Sequence, residues 1–95
     1  MTKVLLDEII LLESQKDYIR IVTDKTEFTT RGTMSYYEEW LPKAEFIRVH
    51  RSFIVSISKI SHYAEEAIEL LNGVSIPIGD LYSKSFREKV QRYLL

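Results

Sequence analysis

The stretch FIRVHRSFIVSISKI, Phe46 to Ile60, decides how the chain is read. FIRV and FIVSI are β-branched and aromatic, the composition that suits a pleated, half-buried surface, and each predicts a strand. The polar triplet between them, His50-Arg51-Ser52, has no obvious place in a core and predicts a turn. The same β signature extends upstream. Lys3 to Leu6 and Ile9 to Leu12 are short apolar runs separated by Asp7-Glu8, and predict two strands around a tight turn. Ser14-Gln15-Lys16-Asp17 reads as a polar loop, and the alternating YIRIVT of Tyr18 to Thr23 as its hairpin partner. Asp24-Lys25 is a second turn and Thr26 to Thr30 a further strand, which completes a β-meander.

Gly32 ends that strand. Ser35 and Glu38 then stand at capping-box spacing, so a short helix through Trp40-Leu41 is predicted, stopped by Pro42. Downstream, His62 to Leu71 carries conflicting signals: Ala64, Glu65, Glu66 and Ala67 favour helix, whereas Asn72-Gly73 is a strong hairpin turn. The symmetric flanks Ala67 to Leu71 and Val74 to Ile76 favour the hairpin. From Ser83 onward Phe86, Val90, Tyr93 and Leu94 recur at helical spacing, with Arg87, Glu88, Lys89, Gln91 and Arg92 on the other side. The predicted fold is mostly β, with one short internal helix and one amphipathic C-terminal helix.

The 95 residues are expected to form one domain, 1–95, with a single core. Hydrophobic residues at 45% and charged residues at 28% are ordinary globular values, and no run approaches the roughly 20 apolar residues of a membrane helix, so a soluble chain is expected. Asp7 and Glu8 interrupt the N-terminal apolar run and no small-residue cleavage site follows, so no secretory signal is expected. The absence of cysteine excludes disulfides and thiolate metal sites, and suits a cytoplasmic location. The net charge of −1 disguises an uneven distribution. Lys43, Arg48, Arg51 and Lys59 share a segment whose only acid is Glu45, whereas Glu65, Glu66, Glu69 and Asp80 fall in a gap without Lys or Arg. A molecule acidic overall can still attract a polyanion with one face.

Enzyme chemistry requires convergent groups of tunable pKa, and they are sparse. His50 and His62 are separated by a whole strand, and no Gly-rich phosphate loop, HExxH pair or GxSxG elbow occurs. Glu65-Glu66 are neighbours that a strand would point to opposite faces, more fitting for a solvated turn than a carboxylate dyad. No catalysis, metal or cofactor is expected. Three loops instead carry groups suited to phosphates or base edges: Lys16 with Tyr18, His50 with Arg51 and Ser52, and Tyr82 with Ser83 and Lys84. Lys16 also fits an ordinary solvated lysine, and Tyr18 fits core packing as well as outward display. His50 is assigned to orienting Arg51, and Arg51, with no acidic neighbour in sequence, is the leading contact.

The succession DEIILLESQKDYIRIVT, FIRVHRSFIVSISKI and IPIG, followed by Tyr82 and a terminal helix, resembles the LytTR-type DNA-binding domain, the output half of many bacterial two-component response regulators. The resemblance spans nearly the whole chain. It implies an elongated stack of small, mainly antiparallel sheets that inserts loops into successive major grooves of a promoter, commonly at paired direct repeats. It further implies double-stranded DNA as the partner, no membrane, a receiver domain upstream if the chain is excised from a longer one, and a sensor histidine kinase as the indirect partner. By position, Lys16 and Tyr18 fall on the major-groove loop, Arg51 on a polar contact, and Tyr82 to Lys84 on the C-terminal contact segment. Asp80 departs from the pattern, since similar sequences often carry Arg after IPIG. Its place before Ser83 predicts an N-cap for the last helix. The alternative is a β-rich protein-interaction module that displays Tyr36-Tyr37-Trp40, although Trp40 is expected to plug the core from the short helix.

Overall fold

In a computed structural model, residues 4–93 are described. The five-stranded antiparallel sheet that dominates it has the order β3-β2-β1-β5-β4, built from β1 (Ile9–Gln15), β2 (Tyr18–Thr23), β3 (Glu27–Arg31), β4 (Phe46–His50) and β5 (Phe53–Ser56). A second, three-stranded antiparallel sheet follows: β6 (Ile60–Tyr63), β7 (Ala67–Leu70) and β8 (Ser75–Pro77). Helix α1 (Met34–Trp40) interrupts the strands, and α2 (Ser83–Tyr93) is the C-terminal helix. The molecule is elongated, 38 × 24 × 22 Å.

The unbroken apolar run IILL is explained by burial on both faces of β1. Leu12 joins Ile19, Ile21, Ile54 and Met34 of α1 in one cluster, while Leu11 joins Val55, Ile68, Leu70, Phe86 and Val90 in another. The larger sheet is therefore sandwiched between α1 and a layer made of the small sheet and α2. Phe86 is fully buried and meets Tyr63 edge-on at 5.3 Å, which anchors α2 to the small sheet. Val90 is buried with it, Tyr93 is half exposed, and Leu94 lies outside the described residues. The hairpin around Asn72-Gly73 is formed: Gly73 takes the left-handed φ of 88° that the turn needs. Its N–H reaches Leu70 O at 2.9 Å.

Five local predictions are corrected. Leu5 and Leu6 are not a strand: Leu6–Glu8 form a 3-10 turn in which Glu8 N–H donates to Leu5 O and the Glu8 carboxylate accepts from Leu5 N–H at 3.1 Å. Its predicted partner β1 has no free edge, because β1 already pairs with β2 and β5; Lys3 lies outside the described residues. The loop predicted from Ser14 shrinks to Lys16-Asp17, since Gln15 and Tyr18 still pair. The third strand starts one residue late, because Thr26 N–H and C=O are both bonded to the buried Thr23 hydroxyl. Helix α1 is capped by Thr33, whose hydroxyl accepts from Tyr36 N–H at 3.1 Å, with Ser35 already inside the helix. Trp40 does not plug the core; it is 59% exposed, and Met34 and Leu41 fill that place.

Candidate nucleic-acid interface

Because β1 runs antiparallel to both β2 and β5, the β1–β2 and β4–β5 turns emerge at the same end of the sheet. Gln15 pairs with Tyr18, Glu13 with Phe53, and Ser14 N–H donates to Ser52 O at 3.0 Å between the turns. Lys16 forms the tip of the first turn in the left-handed region, φ 55°, a conformation that costs a side-chain-bearing residue about 1–2 kcal/mol. It is exposed and makes no ion pair among the described residues. Tyr18 projects outward, and the guanidinium of Arg31, at the end of β3, lies 5.4 Å from its ring centre. Arg31 is not among the residues that the sequence singles out; its only signal is a register opposite Tyr18 just before Gly32.

The second turn is held by its own residues. Ser52 N–H donates to His50 Nδ1 at 3.1 Å, and the imidazole rests against Phe53 with 5.6 Å between ring centres. His50 is therefore half-buried within the turn, and shapes the backbone on which Arg51 stands. The Arg51 side chain is exposed and makes no ion pair among the described residues. Its carbonyl is tied back by Arg48, whose Nη2 donates to it at 2.7 Å.

The third segment joins the same end through Gly79, whose N–H donates to Val49 O at 2.8 Å. A Cβ at Gly79 would sit 3.1 Å from the Tyr82 ring and 3.5 Å from the His50 ring, so glycine permits this close crossing. Asp80–Tyr82 form a 3-10 turn leading into α2. Tyr82 and Ser83 are half-buried, Lys84 is exposed, and the Tyr82 ring lies 5.7 Å from the Arg48 guanidinium. Leu81, likewise not singled out by the sequence, is 93% exposed beside them. Asp80 does not cap α2: the residue at the cap of its turn is Gly79, and the Asp80 carboxylate makes no hydrogen bond among the described residues. All eight predicted contacts thus belong to turns and segments joined at one end of the molecule.

Charge is arranged differently from the sequence pattern. Lys59 pairs with Asp24 at 3.3 Å at the opposite end of the sheet, and Arg48 pairs with Glu38 at 3.0 Å, so the basic segment is not one patch. A groove of about 220 Å³ between α1 and α2 contains Lys43, Arg48 and Lys89, but all three point at protein oxygens. Lys89 donates to the carbonyls of Lys43 and Phe46, and its pKa is lowered by burial and by the neighbouring Lys43 charge. Among the described residues no cluster of His, Asp or Glu could hold a metal ion, and no helix is long and apolar enough to cross a membrane.

Exposed cations and aromatics on turns, carried at one end of a stack of sheets, define a polyanion-binding β domain more readily than an active site. Residues 1–91 match the LytTr DNA-binding domain family, and the chain belongs to that DNA-binding, non-enzymatic family. It is 29% identical over 89 residues to sensory transduction protein LytT of Enterococcus faecalis, covering 88% of this chain and 37% of the relative. It is likewise 29% identical over 75 residues to transcriptional regulatory protein LytR of Staphylococcus aureus, covering 74% and 30%. The chain spans about a third of the length of these relatives. The fold matches the LytTr DNA-binding domain of a methyl-accepting/DNA response regulator from Bacillus cereus, with a TM-score of 0.85 and 26% identity over 92% of this chain and 84% of that one.

Proposed function

We infer that the chain binds promoter DNA through the gathered turns and regulates transcription as the output domain of a cytoplasmic two-component response regulator. The observation that carries this is the convergence of three sequence-distant segments, Lys16-Tyr18, His50-Ser52 and Tyr82-Lys84, around an exposed Arg51 on a stiff turn. Their spacing is suitable. The two turn tips are two strand intervals apart, about 10 Å, close to the ~12 Å width of a major groove. One tip can therefore read base edges while the other meets the phosphate wall. Lys16, Arg31, Arg51 and Lys84 supply charge, and the bare Leu81 side chain suits the methyl of a thymine. Asp80 opposes phosphates and restricts how the third segment approaches them.

The printed names of the relatives, a sensory transduction protein and a transcriptional regulator, support a regulatory output. In that setting a receiver domain precedes this one and takes its phosphoryl group from a sensor histidine kinase. The domain's 22–24 Å cross-section lets two copies sit on direct repeats one helical turn, about 34–36 Å, apart. The test is a titration of duplex DNA against salt. Phosphate contacts make affinity fall steeply between 50 and 200 mM, by about tenfold or more for two or three contacts. A flat response would refute DNA binding. It would favour a protein-interaction module instead, for which the exposed ring of Trp40 is the specific observation.

A further inference from the structure

We propose that Arg48 is a positioning residue for DNA recognition, whose guanidinium fixes the β4–β5 turn and the Gly79–Tyr82 segment to each other without touching DNA itself. This rests on the DNA-binding function inferred above. Arg48 lies on the edge strand β4 beside a bulge, between its own pairing with Ile54 and that of His50 with Phe53. The guanidinium reaches past its own position to two carbonyls, donating from Nε to His50 O, where β4 ends, at 3.4 Å and from Nη2 to Arg51 O in the turn at 2.7 Å. Nη1 donates to Glu38 Oε1 of α1 at 3.0 Å, and the Tyr82 ring centre lies 5.7 Å from the guanidinium carbon. All three nitrogens are occupied, and the side chain is only 15% exposed. Its charge is balanced by Glu38, so little of it is left for a phosphate.

Only a planar fork can serve these partners together; a lysine would bring one point charge and no stacking face. With the Arg51 carbonyl tied inward, the Arg51 side chain leaves the turn in a fixed direction, and Tyr82 is held at a set distance from it. Base contacts depend on such geometry, whereas phosphate contacts tolerate its loss. Removing the bracket therefore erodes sequence discrimination and spares general affinity for DNA.

The experiment uses this chain, a duplex selected by it from a random pool, and a random duplex of equal length. Arg48→Met and Arg48→Lys are expected to lose about tenfold on the selected duplex, the scale of one good base contact, and to bind the random duplex as the wild type does. The salt slope on the random duplex stays unchanged in Arg48→Met; a slope smaller by about 1 means a direct phosphate contact and overturns the proposal. Wild-type affinity in Arg48→Lys overturns it too, since charge alone would then suffice. Glu38→Gln provides a second arm that keeps the Arg48 side chain and weakens its charged anchor on α1. Plain electrostatics predicts that deleting this acid tightens binding everywhere, whereas the bracket predicts weaker binding to the selected duplex alone. Amide resonances of Arg51, Ser52 and Gly79–Tyr82 are expected to move in Glu38→Gln, with those of Asn72-Gly73 unmoved. Failure of the wild type to bind either duplex would remove the DNA-binding function and the bracket together. A discriminating wild type with equally discriminating Arg48→Lys and Glu38→Gln variants would remove only the bracket.

Discussion

Arg51→Ala deletes a guanidinium that stands exposed on a turn whose backbone is held by other residues. The carbonyl that Arg48 grips and the Ser52 N–H bonded to His50 survive the substitution, so stability is expected to stay within about 0.5 kcal/mol of wild type. Binding is different. A guanidinium on a base edge or in a close phosphate contact contributes about 1–3 kcal/mol, so affinity is expected to fall about 5- to 150-fold. The turn is already ordered, which spares the backbone part of the entropic cost of contact and places the loss above the bottom of that range. Fluorescence anisotropy with a labelled duplex at 50 and 200 mM salt separates the two kinds of contact. If Arg51 meets a phosphate, the ratio of wild-type to variant affinity shrinks about 3.5-fold over that interval, the effect of one contact at a slope of −0.9. If it meets a base, the ratio is constant and discrimination at one base pair is lost. Unchanged binding with an unchanged melting temperature would exclude Arg51 from the interface and undo the reasoning from its exposure.

Thr33→Ala is expected to cost about 1 kcal/mol in chemical denaturation through loss of the α1 cap, whereas Ser35→Ala, inside the helix, stays near wild type. Trp40→Ala is expected to cost less than about 1.5 kcal/mol, because the exposed ring loses chiefly its edge-on contact with Tyr37. Phe86→Ala, by contrast, removes a fully buried ring and is expected to cost about 3–5 kcal/mol in the same assay. Asp80→Ala should leave the melting temperature unchanged and tighten DNA binding at low salt, an effect that fades as the screening length drops to about 8 Å at 0.15 M; a fall in stability would restore a capping role.

Where a pattern and its turn agree locally, the sequence was legible. YIRIVT, the Asn72-Gly73 hairpin and the Phe86-Val90 stripe all formed, because period-2 or helical burial and the turn chemistry select the same structure. The strand reversals at Lys16-Asp17 and Arg51-Ser52 were legible too, although their meeting at one end depends on β1 pairing with β5, which no local signal dictates. The misses share a cause. Arg48 looked like part of a basic patch because its partner Glu38 and its neighbour Tyr82 come from distant elements. Trp40 is expected to plug the core from the short helix, but Met34 and Leu41 occupy that place from either end of a helix too short to bury a second face. Ser35 and Glu38 match the capping-box spacing and so mask Thr33, the actual cap two residues earlier.

The pairing of β1 with β5 also bears on how the chain acquires its fold. The β1–β2–β3 meander is built from short-range contacts and can form early, yet its β1 has apolar side chains on both faces and one edge without a partner until β5 arrives. That arrival requires closure of a long loop, and such non-local pairings are slow to form. On a ribosome the meander emerges first and waits, with IILL presenting bare edge amides and two greasy surfaces to its surroundings. The strand that gives the finished domain its stiffness is, in the nascent chain, the segment most exposed to misassociation.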